Sequence, residues 1–360
     1  MLKQLDKYII GKFLRTFFFT VLIFSMISVI IDFSENVERF IESPITAKQV
    51  ALYYYPNFVL FIVGLLWPLF TLIAVIFFTS RMASNSEIIS IFNAGVGFKR
   101  FVRPYMIAAS LLTLLHLAGN HFVIPIGNKV RLDLEHTYIH TNQDKGKKNN
   151  VHLFIAENTK VFVNEFRNNI AFKFQLEFFD QQHQLTKLIK ASRAEWQQDN
   201  TWRLFNYQIR TFEGMQENLV VEDGQHLDME INLQPQDFVD YKNQQTMMTT
   251  PQLVNYIQLL QERGAGNTKK YEIERYRRTA EAITIFILTI IGVAIASRKV
   301  RGGVGFHLAV GIGIGALFIF FSRFAMVFAS GDTIPVLLGI WLPNILFGSI
   351  ATYLVLKAQQ

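Results

Sequence analysis

Apolar residues in this chain fall into six long runs, three on each side of a polar middle that spans roughly 126–278. The runs lie at about 9–31, 53–79, 104–124, 280–296, 304–329 and 335–356. At 1.5 Å of rise per residue, a helix of about 20 residues crosses the ~30 Å hydrocarbon core of a bilayer. The pattern therefore predicts six transmembrane α-helices arranged three plus three. Pro56 stands near the start of the second run and Pro68 inside it, where a proline is expected to kink the helix. The second half of the third run carries His116, Asn120 and His121, and the first half of the fifth carries Gly305, Gly311, Gly313 and Gly315. Small residues at that spacing let two membrane helices approach closely.

Within the polar middle the period changes. Phe172, Phe174, Leu176 and Phe178 alternate with Lys173, Gln175 and Glu177, and Phe205, Tyr207 and Ile209 alternate with Asn206, Gln208 and Arg210. Period two is the mark of a half-buried strand. Segments 151–156, 161–166, 185–196 and 219–231 read similarly, and Glu157-Asn158, Asn168-Asn169, Asp180-Gln181 and Asp199-Asn200 supply turns between them. Several short strands at this spacing predict a β-sandwich or jelly roll. Thr250 and Pro251 suit the start of a helix, Leu253, Tyr256, Ile257 and Leu260 keep helical spacing, and Gly264 suits its stop. The predicted organisation is a membrane protein with helices 1–3 in 1–125, a β-jelly-roll-like insert in 126–248, a linker with a short helix in 249–278, and helices 4–6 in 279–360.

Charge orients this arrangement. Basic residues mark the N-terminus, the loop 81–103, the segment Arg298, Lys299 and Arg301, and Lys357, whereas Asp32, Glu35, Glu38, Glu42 and Asp332 mark the opposite ends. The positive-inside rule then predicts both termini in the cytoplasm and the insert outside. Lys269, Lys270, Arg275, Arg277 and Arg278 run against the rule, which is weak beside long translocated domains. The net charge of +7 belongs to this topological pattern, so nucleic acid is not an expected partner. With no cysteine, disulfides and thiolate metal sites are excluded. The first run lacks a small-x-small cleavage site and reads as a retained helix.

The loop after the second run carries a short amphipathic helix at about 84–95. Ser84 and Glu87 have capping-box spacing, Ile88, Ile91 and Phe92 share a face, and Gly95 suits the stop. Two readings fit: a helix lying in the headgroups, or a docking helix for a soluble partner. No Gly-x-x-x-x-Gly-Lys-Ser/Thr phosphate loop is present, so no ATP is expected to be hydrolysed by this chain. Arg323, inside the fifth run, reads either as a snorkelling cation or as an anion site. His116, His121, His136 and His140 do not recur as a ligand set on one face, no nucleophile or carboxylate pair suggests catalysis, and no bound cofactor is expected. A membrane-tethered adaptor whose β domain binds partners, and a secondary transporter, remain alternative classes. The latter calls for paired charges and broken helices at the midplane.

Taken in order, several short patterns resemble the YjgP/YjgQ family, the LptF/LptG-type permeases of lipopolysaccharide export. They are Ser86-Glu87 with Asn93, Ala94 and Gly95; Ala191, Ala194 and Trp196 followed by Trp202 and Leu204; Thr250-Pro251 and Tyr256; Glu274, Arg277 and Arg278; Gly302-Gly303; and Trp341, Pro343 and Asn344. Leu5, Asp6, Lys7, Tyr8 and Asp32 lean towards the G-type branch. The chain departs from the family pattern in carrying Ala280, Glu281 and Ala282 where a proline is usual, and in an acidic outer end of the first span where lysines are common. The resemblance implies an inner-membrane ABC-transporter permease that works with a second permease subunit, a cytoplasmic ATPase dimer that hydrolyses the ATP, and a periplasmic β-jelly-roll bridge protein. Its cargo would be lipopolysaccharide. On that reading Ser84, Glu87, Ile88, Ile91, Phe92 and Gly95 form the ATPase-coupling segment, with Glu87 accepting hydrogen bonds from the ATPase. Arg275, Arg277, Arg278 and Arg323 are expected to attract lipid phosphates. Phe172, Phe174 and Tyr207 form either an acyl path or a closed core.

Overall fold

A computed structural model describes residues 3–139, 149–198, 200–214, 216–238, 243–263, 268–300, 302–331 and 334–358. His140, Asp199, Gly264, Arg301 and Asp332 lie outside the described residues. In chain order the helices are α1 (Gln4–Glu42), α2 (Ala47–Gln49), α3 (Tyr55–Ser84), α4 (Glu87–Asn93), α5 (Phe98–Ala118), α6 (Ile124–Leu134), α7 (Thr250–Glu262), α8 (Lys269–Ala296), α9 (Gly303–Ser330) and α10 (Val336–Ala358). Wide π-turns at Val50–Tyr54, Gly119–Val123 and Glu135–Ile139 join or extend them. Among the described residues six helical stretches are long and apolar enough to cross a membrane. The chain divides into two compact units, Met1–Leu134 with Gln245–Thr250 and Lys269–Gln360, and Glu135–Gln244 with Pro251–Thr268.

The helices outrun the apolar runs that predict them. α1 continues through Asp32, Glu35, Glu38 and Glu42, the third span continues through α6, and α8 takes in the whole cluster from Lys269 to Arg278. Hydropathy marks where a helix meets lipid, whereas Glu, Lys and Arg are good helix formers and extend it into water. In the first unit α3 packs against α1, α8 and α9. Small residues make this possible: a Cβ at Gly311 would collide with Ile76, one at Gly315 with Leu69, and one at Gly292 would lie 2.9 Å from Val75 Cγ1. Gly311 and Gly315, four residues apart, thus meet α3, whereas Gly305 and Gly313 face no neighbouring helix among the described residues.

The second unit contains β1 (Asn149–Ala156), β2 (Thr159–Arg167), β3 (Ile170–Phe179), β4 (Leu185–Trp196), β5 (Thr201–Glu213) and β6 (Gln216–Glu230). They form one antiparallel sheet in sequential order, an up-and-down meander. Asn168 and Asn169, both with positive φ, make the tight β2–β3 turn, and the Asp180 carboxylate accepts from the amides of Gln182 and Gln184 in the next. Val161, Val163, Ala171, Phe174, Leu176, Ile189, Ala191, Ala194, Trp202 and Leu204 are buried in one cluster, with Ile231, Leu233 and Phe238.

A crease crosses this sheet. On β3 the buried positions step from Leu176 and Phe174 to Ala171, and on β4 from Ile189 and Ala191 to Ala194. Each strand skips one residue, so the inward parity flips while the pairing register holds: Phe174 faces Ala191 and Ala171 faces Ala194. Asn150, Lys173 and Asn206 take positive φ along this line. On the outer face beside it, Arg193 stacks 4.3 Å over Phe205, and Arg203 pairs with Asp228 at 2.7 Å. The Arg203 hydrogen bonds hold the Asp228 carboxyl below its ordinary range.

Trp202 sits at the centre of the buried cluster, fully enclosed, and its indole N–H donates to the Leu233 carbonyl at 2.8 Å. Trp202→Ala is expected to destabilise the β unit by about 3–5 kcal/mol through the cavity it leaves. Trp202→Phe is expected to cost about 1–3 kcal/mol, because the Leu233 carbonyl loses its donor. Denaturant midpoints of the full chain, read by protease resistance of the insert, check the order.

Candidate functional site

The basic loop between α3 and α5 is built differently from its sequence reading. Ser84 is the last residue of α3 rather than a cap, and α4 is capped by Ser86, whose φ of 62° is left-handed and whose side chain makes no capping bond. The proposed Ser84–Glu87 capping box is therefore replaced by a tight helix-to-helix corner: the Asn85 amide donates to the Arg81 carbonyl, continuing α3, while the Ser90 amide donates to the Ser86 carbonyl, beginning α4. At the other end Gly95 has φ +81°, Gly95 N–H donates to the Phe92 carbonyl, and Val96 N–H donates to the Ile91 carbonyl. This is a Schellman stop, and glycine supplies its left-handed residue at no steric cost.

The apolar stripe of α4 faces the chain's own helices. Ile88 is buried in the cluster that holds Ile9, Phe13, Met82, Phe98 and Phe101, and Ile91 and Phe92 pack against it. Phe92 meets Phe101 edge-on at 5.4 Å. Fully burying an Ile side chain stabilises by about 1.5–3 kcal/mol, so Ile88, with the partly buried Ile91 and Phe92, seats α4 on its own bundle. What remains outside is Ile89, 45% exposed, with Ser90, Asn93 and Ala94. Ile89 lies off the i, i+3, i+4 stripe, and an apolar residue out of phase in a seven-residue helix was the signal available in the sequence.

Polar bonds pin the same corner. Glu87 accepts from the Tyr8 hydroxyl at 3.0 Å and from the Asn85 amide at 3.2 Å, and Lys299 Nζ lies 3.3 Å from Ser86 Oγ. Asp6 receives both Arg100 guanidinium nitrogens, at 2.6 and 2.8 Å. The beginnings of α1 and α5, the α4 corner and the loop after α8 therefore share one end of the bundle. Arg298 Nη2 adds a bond to the Lys357 carbonyl at 3.3 Å. Arg100, Arg298 and Lys299 are thus tied to this end.

The four arginines expected to attract lipid phosphates separate into two kinds. Arg278 is 1% exposed, with Nε on Glu274 at 2.9 Å, Nη1 on Thr250 Oγ1 at 2.9 Å, and Nη2 on the carbonyls of Met248 at 2.9 Å and Gln245 at 3.3 Å. Arg277 donates to Glu274 at 3.0 Å and to Glu281. Both are held inside the first unit by Glu274, one helical turn away and shared between them, with Glu281 as a second partner of Arg277. Arg275 is exposed beside the Tyr276 ring, and Arg323 is exposed on α9 among Phe320, Phe324 and Val327.

In the β unit the three aromatics do not share one surface. Phe174 is fully buried and stacks at 6.2 Å on Trp202, and Tyr207 packs beside it through Ala191. Phe172 is 39% exposed, turned away by the crease at Lys173. Period-two reading missed this because the flip keeps the register and leaves no gap in the sequence. Among the described residues no group of three or more His, Asp or Glu is placed to hold a metal.

A profile of the family described as lipopolysaccharide export system permease LptF/LptG matches residues 7–357. Among curated relatives, the lipopolysaccharide export system permease protein LptG of Haemophilus influenzae is 22% identical over 359 residues, covering 96% of each chain.

The burial of Arg278 yields a direct contrast. Arg278→Met is expected to destabilise the first unit by about 3–5 kcal/mol, because Glu274 keeps a buried charge with one partner fewer. Arg275→Met is expected to stay within about 0.5 kcal/mol. Thermal unfolding of the two purified variants in the same detergent measures both.

Proposed function

The chain belongs to the LptF/LptG family of lipopolysaccharide export permeases, multi-pass membrane subunits of an ABC transporter that extracts lipopolysaccharide, and on that premise we propose how it divides the work. Members of this family carry no ATPase domain of their own. The chain is one half of the membrane part, paired with a second permease above a cytoplasmic ATPase dimer. Its two termini and α4 lie in the cytoplasm, and its β unit lies in the periplasm. The clustering of Lys99, Arg100, Arg103, Arg298, Lys299 and Lys357 on segments tied to one bundle end supports this orientation. The full-length similarity to an LptG supports the G-type role.

Exposing lipid chains to water costs about 0.8 kcal/mol per CH₂, so removing a multi-acyl lipid costs on the order of tens of kcal/mol. That requires external work and an acceptor. The work enters through α4. The observation that carries this is the rigid seat of that helix, with Ile88 buried and Glu87 tied to Tyr8, which leaves Ile89, Ser90 and Asn93 as a fixed outward face. A helix so held transmits a push to α1, α3 and α5 instead of rotating in place. Beyond the bilayer, lipid passes to a β-jelly-roll bridge protein, and Arg275 and Arg323 are the two arginines of the four free to meet its phosphates.

The test uses the chain with its partner permease and ATPase in vesicles loaded with lipopolysaccharide. ATP-dependent delivery of the lipid to a soluble bridge protein is expected. An adaptor would assemble and deliver nothing, which would overturn the reading. Ile89→Asp is expected to reduce recovery of the ATPase on the purified chain at least tenfold, while Glu87→Ala is expected to retain membrane insertion and lose most lipid delivery. Normal delivery by Glu87→Ala would remove the rigid-seat account.

A further inference from the structure

The first unit contains a polar chain that neither the α4 face nor the lipid-phosphate reading uses. It begins at Pro68. A proline has no N–H, so the Gly64 carbonyl, four residues back in α3, loses its helical donor. In lipid such a carbonyl must find another. His116 of α5 supplies it: Nε2 lies 3.2 Å from the Gly64 oxygen, and the ring is fully buried. A neutral imidazole carries one proton, and only Nε2 faces an acceptor among the described residues, so the proton sits there.

One turn further on, Asn120 opens the π-turn Gly119–Val123 and is 6% exposed. With the imidazole proton directed at Gly64, the Asn120 side-chain amide nitrogen lies beside His116 Nε2 at 3.2 Å on the same span without bonding to it, and donates to Glu281 Oε2 of α8 at 3.3 Å. Glu281 also receives Arg277. Glu274 then bridges Arg277 and Arg278, and Arg278 holds residues 245–250 through two carbonyls and Thr250. Asn128 of α6 holds the same segment, donating to Thr246 Oγ1 at 2.7 Å. Gly64 is part of the fit, because a Cβ there would collide with Ile124 and sit 3.6 Å from Asn120 Oδ1.

Buried polar groups in membrane spans are costly and rarely retained without a role, and hydrogen bonds between them tie together the elements they join. π-turns inside helices occur mostly at functional sites. We propose that Pro68, His116, Asn120, Glu281, Arg277 and Glu274 form an internal strut that makes the second, third and fourth spans and residues 245–250 one moving body, and that the ATP-driven stroke reaches the outer end of the bundle through it. These are positioning residues for transport. The inference rests on the transport reading above.

Asn120→Leu removes the link between the third and fourth spans while keeping the number and branching of heavy atoms, and Asn120→Gln restores an amide donor. Each is assembled with the partner permease and ATPase in lipopolysaccharide-loaded vesicles, and delivery per ATP hydrolysed is measured. Asn120→Leu is expected to assemble and to hydrolyse ATP within about twofold of the parent, with delivery per ATP reduced at least fivefold. Asn120→Gln is expected to recover at least half of the parent ratio. Glu281→Gln, which keeps the shape and a hydrogen bond, is expected to lower the ratio at least threefold. An unchanged ratio in both Asn120→Leu and Glu281→Gln overturns the strut, as does failure of both to assemble, which would make the network a folding element only. If the parent complex itself delivers no lipid under ATP, the transport reading fails instead, so the two failures are distinguishable.

Discussion

A carbonyl or charge inside a bilayer has no water to turn to, and this one constraint arranges most of the first unit. Pro68 frees a carbonyl and His116 takes it up. Asn344 donates to the Ala280 carbonyl at 2.8 Å and accepts from Thr284 at 2.7 Å, which fixes α10 on α8. Arg278 is surrounded by two carbonyls, a hydroxyl and a carboxylate until none of its nitrogens needs solvent. These polar residues thereby act as joints between the spans that they connect.

The same constraint shapes the two ends of the bundle differently. At the α4 end, apolar burial and the Tyr8–Glu87 and Asp6–Arg100 bonds produce a stiff platform with a small exposed face. Toward the outer end, paired carboxylates and arginines tie α8 to the segment 245–250.

The six spans were legible because lipid selects composition over long windows. Their ends were not, since Glu38 or Lys269 continues a helix in water as well as a loop residue would end it. The insert's strands were legible from period two, and the asparagine turns marked their borders. The crease was hidden because it shifts parity on neighbouring strands together and leaves the Phe172 to Phe178 alternation intact in the sequence. At the candidate site Gly95 and the existence of α4 could be read directly. The direction of its stripe could not, because the sequence shows that Ile88, Ile91 and Phe92 share a face and does not show which neighbour covers it. The pairing of Arg277 and Arg278 was hidden for a related reason: a basic cluster beside a span looks solvent-facing until Glu274 and Glu281 are placed one turn away.

The account turns on which face of α4 receives the ATPase. The chain contains no cysteine, so single cysteines report cleanly. Cysteine placed at Ile89 and, separately, at Ile91 can be joined by a short thiol crosslinker to a cysteine on the ATPase in the assembled membrane complex. Efficient crosslinking from position 89, with little from position 91, is the predicted result. Crosslinking from position 91 and not from 89 would mean that the buried stripe is the docking face, and would contradict the account.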